Sequence, residues 1–327
     1  MGLSAPIKFA IAGYGRIGRR HATLIEEHPE TRLCAIADIN GSGHPGVPFF
    51  PSLEALISAP PSGGIDAVCI ATPNGCHVSQ ACAALSSGLH VVVEKPLALS
   101  TLDAERIEAM ADRTGRHVFT VMQNRYSAAA RWLKTLIDAG RLGKIYMIQA
   151  NAYWNRDDRY YQPGNWHGTR SMDGGVLFTQ FSHIVDMLYW LVGDLSDIRA
   201  RLGNFAHQTS TEFEDSGTAQ FSFGQGGLGS FQFSTAVWDK NLESSITVIG
   251  ETGSVRVAGQ YMDHIEYCHL RDSFPEPDQA PANPADNHRK FFADVVDVLS
   301  GRADASMGIH DAVRVVDIIE RIYKTSN

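Results

Sequence analysis

The stretch Ile7-Lys-Phe-Ala-Ile-Ala-Gly-Tyr-Gly-Arg-Ile-Gly18 decides the architecture of the N-terminal half. An apolar run leads straight into Gly13, Gly15 and Gly18 in the pattern G-x-G-x-x-G, and the residues that follow, up to His28, have helical periodicity. Glycine makes up 30 of the 327 residues, so the pattern gains meaning only from its place between a strand and a helix. The next apolar run, Leu33-Cys-Ala-Ile-Ala-Asp38, ends on a carboxylate. That order is what a dinucleotide site requires. Glycines let the backbone approach a pyrophosphate, the helix N-terminus faces it, and the acid reads a ribose 2′-hydroxyl. Gly13, Tyr14, Gly15, Arg16, Ile17, Gly18 and Asp38 are therefore expected around NAD.

Working outward, strand and helix signals alternate up to about residue 122. Ser52-Leu-Glu-Ala-Leu-Ile57 is a short helix with a serine cap. Strands are expected at 67–71, 90–94 and 118–122, with helices at 77–87 and 100–115 between them. Such alternation predicts a mostly parallel sheet covered by helices on both faces. Past residue 125 the texture changes. A helix over 128–139 is followed by extended stretches at 144–154, 198–205, 218–223, 228–237, 244–249 and 254–257. Several alternate apolar and polar residues, as in Gly229-Ser-Phe-Gln-Phe-Ser234, which predicts a half-buried antiparallel sheet. Hairpin turns are expected at 224–227 and 250–253, a Pro-rich surface loop at 274–284, and closing helices at 287–300 and 308–324. The expected fold is α/β, with a Rossmann dinucleotide-binding domain over 1–125. A substrate-binding α/β domain with a mostly antiparallel sheet is expected over 126–327.

A formal charge of −8 argues against nucleic-acid binding, which needs a concentrated basic surface. It leaves room for an anionic small ligand. The five cysteines form no C-x-x-C pair and are expected as buried reduced thiols. No apolar run is long enough to span a bilayer, and the first residues lack the pattern of a signal peptide. A cytoplasmic protein without membrane contact is the expectation.

Chemistry is concentrated in four places. Lys95, in Val91-Val-Val-Glu-Lys-Pro-Leu97, ends a strand of the first sheet and is fixed in extended geometry by Pro96. An ammonium there can hold a substrate hydroxyl and stabilise a developing alkoxide, or it can be a solvated strand end. Ala71-Thr-Pro-Asn74, with His77 beyond, can lie along a cofactor or form an ordinary strand–helix connection. From Val176 the chain is expected to be helical, with Thr179, His183 and Asp186 on one face. An imidazole there suits a general base. It equally suits a satisfied core or half of a metal site with Asp186; no third ligand stands at suitable spacing, so no metal is expected. Finally, Arg156, Arg159 and Arg170 interleave with aromatics between Tyr153 and Arg170. Guanidinium forks among flat rings suit an anionic ligand with a ring, and the same mixture suits a structural loop or a subunit interface.

These pieces resemble the glucose–fructose oxidoreductase/inositol dehydrogenase/MocA family over nearly the whole chain. The motifs are Gly13-Tyr-Gly-Arg-Ile-Gly18, Ala71-Thr-Pro-Asn74 with His77, Glu94-Lys-Pro96, Gln123-Asn-Arg-Tyr126, and Gly174-Gly175 leading to His183 and Asp186. The resemblance implies a large open second sheet and a homo-oligomer, dimer or tetramer, built through it. It adds Ala71, Thr72, Pro73, Asn74, His77, Glu94, Lys95 and Gln123 to the cofactor site, and makes Lys95 and His183 catalytic. Many members carry an acid four residues before the histidine, where this chain has Thr179. The His183 proton would then pass to Thr179, water or a ribose hydroxyl. The C-terminal half resembles the WlbA type of UDP-N-acetylglucosaminuronate 3-dehydrogenases. The resembling segments are Tyr160-Tyr161 through Trp166-His-Gly-Thr169, Asp173-Gly-Gly175, Gln180 to His183, Phe213-Glu-Asp-Ser-Gly217, and Lys240-Asn-Leu-Glu-Ser-Ser-Ile246. Arg125, Tyr126, Arg156, Arg159, Tyr160, Trp166, Arg170, Thr179, Gln180 and Lys240 are accordingly expected around substrate. The implied activity is removal of a hydride by NAD from a sugar ring carbon, C3 of UDP-N-acetylglucosaminuronic acid. Alternatives are a dehydrogenase of a free sugar or cyclitol, and a non-catalytic NAD-binding regulator.

Overall fold

A computed structural model describes residues 5–41, 43–162, 164–224, 226–277, 284–305 and 308–326. The chain divides into two compact units, one comprising Met1–Val121 with His288–Val313, the other Met122–Asn287 with Arg314–Asn327.

In the first unit β1 (Ile7–Ala12), β2 (Thr31–Ala37), β3 (Phe49–Phe50), β4 (Ala67–Ile70), β5 (His90–Val93) and β6 (Val118–Thr120) form one parallel sheet. Its order is β3-β2-β1-β4-β5-β6. The order reverses between β1 and β4, the switch point at which such sheets bind ligands beyond their strand C-termini. Phe9, Ile11, Val68, Ile70, Val91 and Val93 are fully buried, which is why these strands are unbroken apolar runs. A single cut near residue 125 does not describe the packing. Phe292, in the helix Pro284–Leu299, sits edge-on to Phe9 at 6.4 Å and to His21 at 5.1 Å, so 288–313 completes the first core.

The second unit holds β7 (Ile145–Tyr153), β8 (Leu195–Gly203), β9 (Ser216–Phe223), β10 (Gly227–Ser234), β11 (Glu243–Gly250), β12 (Gly253–Ala258) and β13 (His264–Leu270). The sheet order is β13-β12-β11-β7-β10-β9-β8. Every pair is antiparallel except β7–β10, which runs parallel. Phe231 and Phe233 of β10 are buried against Phe181, at 6.2 and 5.5 Å, just before the helix Ser182–Val192. On the opposite face Met147, Leu228 and Ile249, paired across three adjacent strands, are exposed. The expected hairpins join β9 to β10 and β11 to β12; Gln225 and residues 278–283 of the Pro-rich segment lie outside the described residues. All five cysteines are free thiols, but only Cys69 is buried. Among the described residues no helix is long and apolar enough to cross a membrane.

Candidate active site

In the first unit the candidate groups stand where β1, β2, β4 and β5 end. The Gly13 N–H donates to Ala37 O at 2.8 Å, seating the turn on β2. Asp38 is set by two backbone donors, Tyr14 N–H to Oδ2 at 2.6 Å and Asn40 N–H to Oδ1 at 2.7 Å. A Cβ on Gly18 would lie 1.9 Å from the Gly13 carbonyl oxygen, so only glycine lets the helix Arg16–Glu27 start this close to the turn. Beside Gly15, by contrast, a Cβ would meet nothing within 4 Å. The helix begins with no side-chain cap and no acid in its first turn. Open space, bare N–H groups and a pre-oriented carboxylate fit the pyrophosphate and ribose of NAD.

The strand-end loops carry more internal bracing than their motifs suggest. His77, expected as a cofactor contact, is wholly buried. Its ring nitrogens face Pro96 O at 2.8 Å and Thr72 O at 3.0 Å, tying the Ala71–Asn74 loop to the Glu94-Lys95-Pro96 corner. Burial holds its pKa below the ordinary value, against the pull of both carbonyls. Thr72 donates its hydroxyl to Gln80 Oε1 at 2.6 Å, and Asn74 is buried. Glu94 lies 2.9 Å from Nε2 of the buried His21. Burial pushes the carboxyl up, but His21, His288 and Lys95 outweigh it and bring it to about 2. Lys95 stands two residues past the end of β5, after Glu94, and is partly exposed. Tyr14 adds a link the motif does not announce: its hydroxyl is 2.7 Å from His44 Nδ1, and His44 Nε2 is 2.9 Å from Glu26.

In the second unit the expected helix from Val176 is interrupted. It runs Val176–Thr179 and then Ser182–Val192, and Phe181 N–H reaches back to Val176 O at 3.0 Å, a turn one residue wider than α. His183 sits in the first turn after that break, its Nε2 3.1 Å from Gln123 Nε2. Gln123 and Arg125 come from a 3₁₀ turn over Gln123–Tyr126. Arg125, expected to touch substrate, is instead a buried clamp on Asp186. Its Nε lies 3.1 and 3.0 Å from the two carboxylate oxygens, its Nη2 is 2.6 Å from Oδ1, and its guanidinium lies over the Trp190 ring.

One part of the expected substrate set converges. Arg156 donates from Nε to Gln180 Oε1 at 2.7 Å, and Gln180 Nε2 donates to the Tyr160 hydroxyl at 2.7 Å. The Arg156 guanidinium also rests over Trp154 and Tyr160, while the rings of Tyr160, His167 and Trp166 adjoin in series at 4.2 and 3.8 Å, tilted by 32° and 38°. Thr179 gives its hydroxyl to the Asp173 carboxylate. The others do not join this group. Arg159 is exposed and engaged by Asp157 and Asp239, Arg170 is exposed with its N–H on Glu212, and Lys240 lies in an exposed turn. Three groups had no assigned part in the sequence. Glu214 accepts from the Tyr323 hydroxyl at 2.6 Å and from Val176 N–H, and burial raises its carboxyl to about 7. Asp173 and Glu214 stood inside motifs, whereas nothing in the sequence marks Tyr323.

Residues 7–122 match the family model described as "Oxidoreductase family, NAD-binding Rossmann fold", and residues 130–256 match the "GFO/IDH/MocA C-terminal domain". The WlbA dehydrogenase from Bordetella pertussis, solved with NADH and UDP-GlcNAcA, is 31% identical with a TM-score of 0.88. That match covers 98% of this chain and 96% of the other. The WlbA dehydrogenase from Chromobacterium violaceum, solved with the same ligands, is 29% identical with a TM-score of 0.86, covering 98% and 94%. A curated relative, 1-carboxy-3-chloro-3,4-dihydroxycyclohexa-1,5-diene dehydrogenase of Comamonas testosteroni, is 32% identical over 53% of this chain and 42% of its own length. The chain spans about half the length of the first curated relatives it matches. With an NAD-binding Rossmann unit, a second unit built on a seven-stranded mixed sheet, and a likeness running the length of a solved relative, the chain belongs to the glucose–fructose oxidoreductase/inositol dehydrogenase/MocA family.

Proposed function

We propose that this protein is an NAD-dependent dehydrogenase of sugar or cyclitol hydroxyls, and that its substrate is UDP-N-acetylglucosaminuronic acid, oxidised at C3. The observation that carries the substrate reading is the Arg156–Gln180–Tyr160 cluster with the adjoining rings of Trp166 and His167, three residues from His183 in sequence at Gln180. A guanidinium fixed among rings suits a nucleotide sugar acid, which brings both anionic groups and a flat base. The two WlbA dehydrogenases solved with UDP-GlcNAcA support the same choice.

NAD, when bound, supplies the hydride acceptor. The Gly13–Gly18 turn and Asp38 orient it, and Glu94, held by His21, steadies the corner that carries Lys95. Lys95 holds the reacting hydroxyl oxygen and offsets its developing charge. His183 takes the hydroxyl proton, its ring oriented by Gln123. Self-association through the exposed Met147–Leu228–Ile249 face of the second sheet belongs to the same proposal.

Calorimetry in the presence of NADH tests the substrate. UDP-N-acetylglucosaminuronate is expected to bind far more tightly than the free sugar acid, with UDP alone retaining measurable affinity. Arg156→Gln should raise KM by roughly 10- to 100-fold, the loss of one charge-assisted contact. Turnover of a free sugar or cyclitol with no detectable binding of either nucleotide would overturn the reading.

A further inference from the structure

We propose that His44 is a positioning residue of the cofactor site, a latch holding together the two backbone donors that aim Asp38 at the adenosine ribose; this rests on Asp38 reading that ribose. Each Asp38 oxygen accepts one N–H, Oδ2 from Tyr14 at 2.6 Å and Oδ1 from Asn40 at 2.7 Å. A carboxylate has about four lone-pair sites, so one remains on each oxygen for a ribose hydroxyl. Their aim depends on two segments, the Gly-rich turn that carries Tyr14 and the loop over 39–48 that carries Asn40. That loop leaves β2 and returns to β3, where Asp38 N–H donates to Phe50 O at 3.1 Å and Ile36 N–H to Pro48 O at 2.9 Å. His44, midway along it, reaches back to the turn, its Nδ1 2.7 Å from the Tyr14 hydroxyl.

The Tyr14–His44 bond closes a ring of contacts, from Asp38 to Tyr14, on to His44, and back along the loop through Asn40 to Asp38. Tyr14 is buried, and burial raises its hydroxyl above the ordinary pKa, so it stands there as an O–H donor. His44 Nε2 lies 2.9 Å from Glu26. In the neutral ring Glu26 takes the Nε2–H and Nδ1 accepts from Tyr14, so the two partners together select one tautomer. The Glu26 side chain is 44% exposed, so water screens its share and the Tyr14 bond carries the latch. Arg19 holds the same tyrosine from the helix Arg16–Glu27, its guanidinium 5.3 Å from the ring centre and its Nε donating to Tyr14 O at 3.3 Å. Tyr14 is thereby fixed at both ends, and with it the N–H that faces Asp38.

Fluorescence titration of the full chain with NADH tests this without any substrate. His44→Ala and Tyr14→Phe are each expected to raise Kd roughly three- to tenfold, the worth of one hydrogen bond. Combining them should cost little more than either alone, because both break the same link. In an Asp38→Ala background, where there is no carboxylate left to aim, His44→Ala should change Kd by less than about twofold. His44→Asn, whose amide oxygen stands where Nδ1 does, should recover part of the lost affinity. Glu26→Gln, which keeps an acceptor for Nε2–H, should stay within about twofold of wild type. A merely structural part for His44 predicts the same loss with and without Asp38, and that result overturns the proposal. So does an unchanged Kd in both His44→Ala and Tyr14→Phe. If His44→Ala fails to fold, Tyr14→Phe with and without Asp38 decides. Failure of Asp38→Ala itself to weaken NADH binding would instead count against Asp38 as the ribose reader.

Discussion

Truncating either partner of the Arg125–Asp186 pair should destabilise the second unit severely, while replacing both should not. The side chains are 6% and 0% exposed and joined at 2.6 Å. Removing one leaves the other as a buried charge without its counter-ion, which costs about 3–5 kcal/mol. In a unit of this size each kcal/mol moves Tm by about 2–4 °C, so Arg125→Ala or Asp186→Ala should lower the transition of the second unit by roughly 6–20 °C. Arg125→Met with Asp186→Leu removes both charges at similar volume and should lie much closer to wild type. Thermal unfolding followed by near-UV circular dichroism, with the two units' transitions fitted separately, provides the measurement. Single variants as mild as the double variant would refute the reasoning and return Arg125 to the ligand-contact role the sequence suggested.

Asp38 should give NAD at least about a tenfold advantage over NADP in kcat/KM, equivalent to ~1.4 kcal/mol, because its carboxylate repels a 2′-phosphate; equal values for the two cofactors would sink this. Lys95→Ala and His183→Ala should fold and bind NADH, as read by fluorescence titration. His183→Ala should lose about 10²–10⁴-fold in kcat and Lys95→Ala at least as much; retention of half the wild-type rate would exclude the assigned role. Glu214 is raised from 4.5 to about 7 in the folded protein, so the fold binds an extra proton between those values and stability falls as pH rises through them. Glu214→Gln, which keeps an acceptor for Tyr323, should therefore gain on wild type between pH 5 and pH 8, by on the order of 3 kcal/mol in urea unfolding. A constant difference across that range would contradict it.

The first sheet was legible because its strands are buried on both faces: Ala67–Ile70 and His90–Val93 are apolar runs whatever their neighbours. The turn at Gly13–Gly18 was legible for a related reason, since close approach demands glycine locally. Pairing was not. Alternation in Gly227–Ser234 shows one face buried, but nothing in it says that the partner is the parallel β7. Edge strand β13 alternates only over His264–Tyr267 and buries no residue fully, so its signal is weak, and the two-residue β3 is too short to leave a period. The site shows the same division. His183 stands out as a candidate by its type and setting, while the clamp of Arg125 on Asp186 and the twofold carbonyl bracing by His77 depend on which segments meet in space. The helix after residue 284 shows an apolar face without naming the sheet it will cover.

That last helix bears on synthesis. Phe292 closes the core around Phe9 and His21, and residues His288–Val313 count with the first unit. A ribosome releases the N-terminal part of that unit long before its final piece exists. At about 5–20 residues per second, the nascent sheet waits roughly 10–40 s with Phe9 and His21 uncovered. During that interval the sheet lacks the helix that closes its core and is not yet a finished dinucleotide-binding body. Premature termination anywhere between the two parts should yield an insoluble fragment, not a small soluble domain.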